Sequence, residues 1–172
     1  MIKKLGFATA LSALLLSGCG GGGSGGGTNT NTSKLVGSWT DGCYNDNGYS
    51  GILTLVFTDT TLEVIDKEYS GTNCDENELN HHKITKYNYT SGAATKYSNG
   101  NPATELDMVS TGFILKKGSV NEFPKSGQKF FFMYSLDGDK LYFSQEDDAK
   151  EFDGSTAAKR SKEFDAEYLT KQ

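Results

Sequence analysis

The sequence predicts an all-β domain, an antiparallel up-and-down barrel of about eight strands, and three observations predict it. Apolar and polar residues alternate with a period of two in segment after segment. Aromatic, Thr and Val residues gather in short runs bounded by Gly, Asn and Asp. No helical pattern of about 10 to 15 residues separates those runs, so consecutive strands are antiparallel neighbours. Leu53, Leu55 and Phe57 alternate with Thr54, Val56 and Thr58, and Leu62 and Val64 flank Glu63. Phe130, Phe132, Tyr134 and Leu136 alternate with Lys129, Phe131, Met133 and Ser135; Leu141 and Phe143 alternate with Tyr142 and Ser144. Asp59-Thr60-Thr61 and Asp137-Gly138-Asp139 are short enough to make hairpin turns. Residues 82–91 and 104–116 read as two longer strands joined by a polar stretch at 92–103, a loop or a ragged hairpin end. Closure removes the exposed edges that an open sheet would leave; a two-sheet sandwich is the alternative architecture. The chain ends in a short helical or 3₁₀ turn near residues 157–160, with Ser155 and Thr156 as caps, followed by a terminal strand in which Phe164, Ala166, Tyr168 and Thr170 alternate.

The barrel domain is assigned to residues 34–172, long enough for one core. In front of it, Lys3 and Lys4 precede an apolar stretch at residues 5–16 that is too short to span a bilayer but fits the central region of a signal peptide, residues 1–18. Residues 20–33 read GGGGSGGGTNTNTS, with no apolar side chain to bury, so residues 19–33 form a flexible tether. Such a Gly-rich coil spans roughly 20 Å. The chain carries 17 basic and 22 acidic groups; without residues 1–18 the basic count falls to 15 and the net charge to −7. That balance argues against nucleic acid as a partner, whose phosphates must be neutralised by Lys and Arg.

Leu16-Ser17-Gly18-Cys19 resembles the lipobox of bacterial lipoproteins. The resemblance implies cleavage before Cys19, a diacylated thiol and an acylated amino group, carrying palmitate-type chains. Two or more chains are what a stable lipid anchor requires. Gly20, rather than Asp, after the Cys implies an outer-membrane lipoprotein whose domain faces the periplasm or the cell surface. Cys43 and Cys74 then remain as an even pair in an oxidising compartment and are expected to form one disulfide bond. The competing metal or redox readings need much closer spacing.

Gly37-x-Trp39, inside Lys34-Leu35-Val36-Gly37-Ser38-Trp39, is similar to the Gly-x-Trp signature of lipocalins and related barrels. That resemblance implies that Trp39 closes one end of the barrel, that Gly37 permits a close backbone approach, and that an Arg near the chain end packs over the indole. Arg160, the single Arg, is the candidate. The wider pattern also resembles a group of small lipoproteins of marine gammaproteobacteria: Leu-Val-Gly-Ser-Trp before Cys43, Tyr69 before Cys74, Asp137-Gly-Asp-Lys-Leu-Tyr-Phe and a late Arg. A lipocalin-like barrel implies ligand binding, with Leu53, Leu55, Phe57, Leu62, Val64, Phe130, Phe132, Tyr134, Leu141 and Phe143 as the candidate interior around one small apolar ligand or lipid. The alternative is an interaction or inhibitor protein that engages an envelope partner through its acidic loops or an exterior apolar face.

Other chemistry is sparse. His81 and His82 are adjacent in a strand and point to opposite faces, so they do not clasp one ion. Asp75, Glu76 and Glu78, and again Glu146, Asp147 and Asp148, lack EF-hand spacing and read as solvated acidic loops. Gly-x-Ser-x-Gly occurs at residues 22–26 alone, inside the Gly-rich tether with no strand before it, and so reads as no nucleophile elbow. A non-enzymatic protein without cofactor or metal is expected. Phe131 and Met133 fall outside the barrel if Phe130, Phe132 and Tyr134 fill it, and the C-terminal segment is expected to cover them.

Overall fold

The computed structural model describes residues 32–119, 123–145 and 153–172. Cys19, the signal segment and residues 20–31 lie outside the described residues, as do Glu146, Asp147 and Asp148. A one-turn helix, α1 (Thr32–Leu35), takes up the last two residues assigned to the tether. Nine strands follow: β1 (Gly37–Thr40), β2 (Tyr44–Asp46), β3 (Tyr49–Phe57), β4 (Thr61–Tyr69), β5 (Leu79–Lys96), β6 (Pro102–Lys117), β7 (Lys129–Asp137), β8 (Lys140–Gln145) and β9 (Glu163–Lys171).

Strands β3 to β9 pair in sequence order, all antiparallel, and β1 closes the ring between β3 and β9. The result is the expected all-β barrel of eight strands, with β2 as a ninth. Gly37 lies opposite Phe57 and Thr40 opposite Thr54; Tyr44 lies opposite Gly51 and Asp46 opposite Tyr49. β1 and β2 therefore share one edge of β3, as two halves of a strand broken at Asp41-Gly42-Cys43. The disulfide between Cys43 and Cys74 ties that break to the loop after β4.

The hairpins form where the turn residues sit. Between β3 and β4 the Thr58 side chain accepts the Thr61 N–H at 3.0 Å, and β7 and β8 turn through Gly138-Asp139. Of the two readings of residues 92–103 the structure takes the hairpin end: pairing runs on through an irregularity between Ser91 and Ala94 to Lys96 opposite Pro102. This arm carries small and polar residues, and Ala93, Ala94 and Lys96 are exposed. Ala103 alone of its paired residues is buried, on the outer side against Met133, so the arm has no hydrophobic alternation to announce a strand. The chain end follows the expected order, a 3₁₀ turn at Ala157–Lys159 capped by Thr156 and then β9.

Alternate residues of each strand fill the barrel. Of the ten expected interior residues, Leu55, Phe57, Leu62, Val64, Phe132, Tyr134 and Leu141 are buried in one cluster, joined by Trp39, Tyr87, Tyr89, Leu106 and Met108. Leu53, Phe130 and Phe143 pack against this cluster while remaining partly exposed. Met133 faces outward and is 1% exposed, packed with Tyr97, Ala103 and Phe164, so the C-terminal strand and the tip of the β5–β6 arm cover the exterior face.

The first half of β7 does not pair with β8. Phe131 donates its N–H to Gly154 and accepts the Ser161 N–H, and Ser161 also bonds through its hydroxyl to the Gln145 carbonyl. Residues 153–161 thus wedge between β7 and β8. Arg160 pins this wedge to the outside of the wall. Its guanidinium reaches Asp107 at 2.7 Å and Glu105 at 3.5 Å, donates to the Phe132 carbonyl at 3.0 Å, and lies 5.5 Å from the Phe131 ring centre. Arg160→Met is expected to cost about 2 kcal/mol, because a buried donor set is lost and two carboxylates are left facing each other. Urea unfolding measures it; a loss below about 0.5 kcal/mol would show that the wedge holds without the pin.

Candidate functional site

The two ends of the barrel differ. At one end Trp39 is 1% exposed and its indole N–H donates to the Leu35 carbonyl at 2.7 Å. This bond requires the α1 turn, which brings Leu35 back beneath the barrel. Tyr89 donates its hydroxyl to the Thr58 carbonyl at 2.7 Å and meets Phe57 edge to face, fastening the β3–β4 turn over the same end. The cation over the indole is Lys171, with Nζ 5.2 Å from the ring centre, and this corrects the assignment of Arg160 to that place. The reason is register: β9 pairs Lys171 with Trp39, whereas Arg160 precedes β9 and is held on the outer surface. Gly37 has φ +131° with the Lys171 side chain 3.1 Å from where a Cβ would stand, so the position needs glycine both for its backbone and for the space.

At the far end the apolar filling thins out. Leu53, Phe130 and Phe143 occupy the halves of β3, β7 and β8 remote from Trp39, and each keeps part of its surface uncovered. Beyond Leu53 the inward row becomes charged. Leu53 pairs with Asp66, which pairs with Lys83, and the two charges lie 3.4 Å apart. Tyr44 covers Gly51, where any side-chain carbon would collide with its ring. Burial pushes the Tyr44 phenol up to about 12, and Asp66, Glu68, Asp41 and Asp46 push in the same direction. The rim is therefore acidic, with Lys83 as the cation paired into it.

Asp41, at the break between β1 and β2, shows the cost of that crowding. Its carboxylate accepts the Leu53 N–H at 2.9 Å, which favours ionisation, yet desolvation by its neighbours together with Asp66 and Glu167 raises its pKa to about 6. Between about pH 4 and 6 the folded protein thus keeps a proton on Asp41 that the unfolded chain has released. Stability from this group is full below about pH 4 and declines as pH rises through about 6. Asp41→Asn keeps the acceptor for Leu53 and should flatten this decline. Unfolding curves between pH 4 and 7 that fall equally in both proteins would contradict the assignment.

One interior polar group has no hydrogen-bond partner among the described residues. Ser110, 1% exposed, lies opposite Tyr87 in the core, and its hydroxyl is unpaired. Sequence reasoning missed it, because an isolated Ser in a strand carries no signal.

The remaining polar candidates are engaged within the chain. Glu76 meets Lys67 at 2.6 Å and the Tyr69 hydroxyl at 3.1 Å, and these contacts hold its carboxyl below the usual range. Asp75 caps the 3₁₀ turn at Glu76–Glu78 through the Asn77 N–H. Burial, followed by the nearby Lys67, lowers the His82 pKa. Among the described residues no group of three or more His, Cys, Asp or Glu side chains is placed to hold a metal ion. The barrel is consistent with a lipocalin-like fold, while no family model and no curated protein matches the sequence.

Proposed function

We propose that the protein is a non-enzymatic outer-membrane lipoprotein, anchored through Cys19, whose barrel takes a small apolar ligand or lipid at the end remote from Trp39. The observation that carries the reading is the contrast between the ends: one is fastened by the hydrogen bonds of Trp39 and Tyr89, while toward the other Leu53, Phe130 and Phe143 stay partly exposed and the inward row ends in Asp66 and Lys83. Ser110 supports it as a buried hydroxyl available to a polar atom of a guest, since unpaired interior groups are normally matched by water or ligand. The acidic rim of Asp41, Asp66 and Glu68 disfavours a carboxylate, so a neutral or cationic head group suits the site better than a fatty acid. An envelope-partner role is less favoured, because Phe164 covers Met133 on the exterior face and the loop carboxylate of Glu76 is spent on Lys67.

Native mass spectrometry on protein extracted from membranes tests the reading, with a retained small molecule expected. Titration with a long-chain alcohol, alkylamine and fatty acid should rank the fatty acid last. An empty barrel that takes up none of the three would overturn it. Cys19→Ser should abolish acylation, detected as loss of the acyl mass from the protein; an unchanged mass would remove the anchor.

A further inference from the structure

The end of the barrel remote from Trp39 has two unlike halves. Where β6 to β8 meet it, the inward side chains are apolar. Phe113 pairs with Thr85, which pairs with Val64 of the core, so its ring points inward; Leu115 pairs with Lys83 and shares that face. Phe113 is nevertheless 40% exposed, which puts its bare surface at the opening. Phe123, from the segment before β7, stacks on it with ring centres 3.4 Å apart, and the partly exposed Phe130 and Phe143 continue the arc. Ile114 points the other way, in line with Ile84 and Ile65 on the outer wall, and takes no part. The half formed by β1, β4 and β9 is acidic. Glu68 follows Asp66 on the inward row of β4, opposite Gly51, which Tyr44 covers. Of Asp41, Asp66, Glu68 and Glu167, only Asp66 has a cation among the described residues, Lys83. The crowding shows in Asp41, whose pKa is raised by desolvation and then by Asp66 and Glu167.

Carboxylates at a rim are ordinary; the interior behind these is not. Ser110 stands on the inward row of β6 with Leu106 and Met108 and is 1% exposed. It lies opposite Tyr87, whose ring meets that of Phe130 edge to face at 5.7 Å, so its hydroxyl turns into the space beneath the aromatic arc. That hydroxyl has no partner among the described residues, and the Tyr87 phenol beside it is raised by burial alone. A buried hydroxyl left open is matched by water or by a ligand. From rim to interior, this end thus offers uncompensated negative charge, a flat aromatic face and an open hydroxyl. An ammonium group meets the first, with the Tyr44 ring beside it. A planar ring covers the second more fully than a flexible chain does, and loses less rotamer freedom in doing so. The exposed Lys116, Lys117 and Lys129 border the aromatic side and repel an ammonium from it, which orients the guest: head toward Glu68 and Asp41, ring over Phe113.

We infer that the guest of this end is an aromatic amine, its ring laid on Phe113 with one edge toward Ser110 and its ammonium group held by Glu68 and Asp41. The inference rests on the reading that this end takes a small molecule, and it names the class. Three probes that share an indole-ethyl body test it: tryptamine, tryptophol and indole-3-propionate, titrated calorimetrically into the membrane-extracted protein at about pH 8, where Asp41 is ionised. Tryptamine is expected to bind about tenfold more tightly than tryptophol, with indole-3-propionate weakest. Glu68→Gln should cost tryptamine about fivefold and tryptophol nothing, and added salt should discriminate in the same way. Phe113→Ala should cost both about fivefold, Ser110→Ala about threefold, and Ile114→Ser should cost neither. Should Phe113→Ala not fold, Glu68→Gln decides, since Glu68 is only partly buried. Equal affinities for tryptamine and tryptophol, an unchanged tryptamine affinity in Glu68→Gln or Ser110→Ala, or equal loss in Ile114→Ser would overturn the inference. If none of the three binds while protein from membranes retains a molecule, the amine class falls and the occupied end stands; if none binds and nothing is retained, both fall.

Discussion

Replacing Cys43 and Cys74 together by Ser is expected to lower the unfolding free energy by about 3 to 4 kcal/mol, and the melting temperature by about 10 °C. The two residues are 31 apart in sequence, so the bond removes a medium-length loop closure from the unfolded ensemble. The native side adds to this. Cys74 holds φ at 52°, a left-handed conformation that a side chain resists, and its N–H is accepted by the Ser50 hydroxyl, which itself donates to the Gly71 carbonyl. Those bonds hold Cys74 and its loop on β3 independently of the sulfurs. The double variant should still fold, with β2 and residues 70–78 exchanging amide hydrogens faster than β4 and β5. Equilibrium unfolding in urea, with and without reductant, measures the effect. A difference below about 1 kcal/mol would mean that the Ser50 bonds alone hold the loop.

The largest single-residue effect is expected at Trp39. Trp39→Ala should cost about 4 kcal/mol, because a fully buried indole is removed from the end of a packed barrel and the strands cannot collapse to fill the space. Trp39→Phe should cost less, about 1 to 2 kcal/mol. It preserves most of the apolar contact but leaves the Leu35 carbonyl without its donor. The ordering separates two roles for the residue: if Phe is as damaging as Ala, the bond to Leu35 dominates; if Phe is neutral, packing alone matters. Lys171→Met tests the cation over the ring and should cost no more than about 1 kcal/mol, since that contact is near the surface.

What was legible in the sequence followed from periodicity. Leu53, Leu55 and Phe57 had to share a face because neighbours in a strand alternate, and the same holds for Phe130, Phe132 and Tyr134. The two hairpins were readable because Asp, Thr and Gly stand where the chain must reverse. Three features were not readable, each for a physical reason. The outer half of the β5–β6 arm buries no continuous face, so its strands carry no pattern. The break between β1 and β2 depends on how Tyr44 fits over Gly51, a contact across strands. The partner of Trp39 was misassigned because a resemblance supplied the residue type, an Arg, while strand register decides which cation arrives; β9 delivers Lys171 and leaves Arg160 outside with Asp107. The far-end rim was missed for a similar reason. Asp41, Asp66 and Lys83 lie in three separate segments, and pairing alone brings them together.

The barrel closes between β9 and β1 through a short seam, Trp39 with Lys171 and Thr40 with Thr170, extended by the Gln172 N–H donating to the Ser38 carbonyl. The first strand to emerge in synthesis therefore waits for the last before the ring is complete, and until then the edges of β1 and β8 stand open. The disulfide joins residues much closer in sequence and does not depend on that final step. A reduced chain refolding under oxidising conditions can thus lock residues 43–74 covalently while the rest is still searching for register. Joining chain ends so far apart in sequence is a slow closure, so refolding is expected to be limited at that seam rather than at the loops.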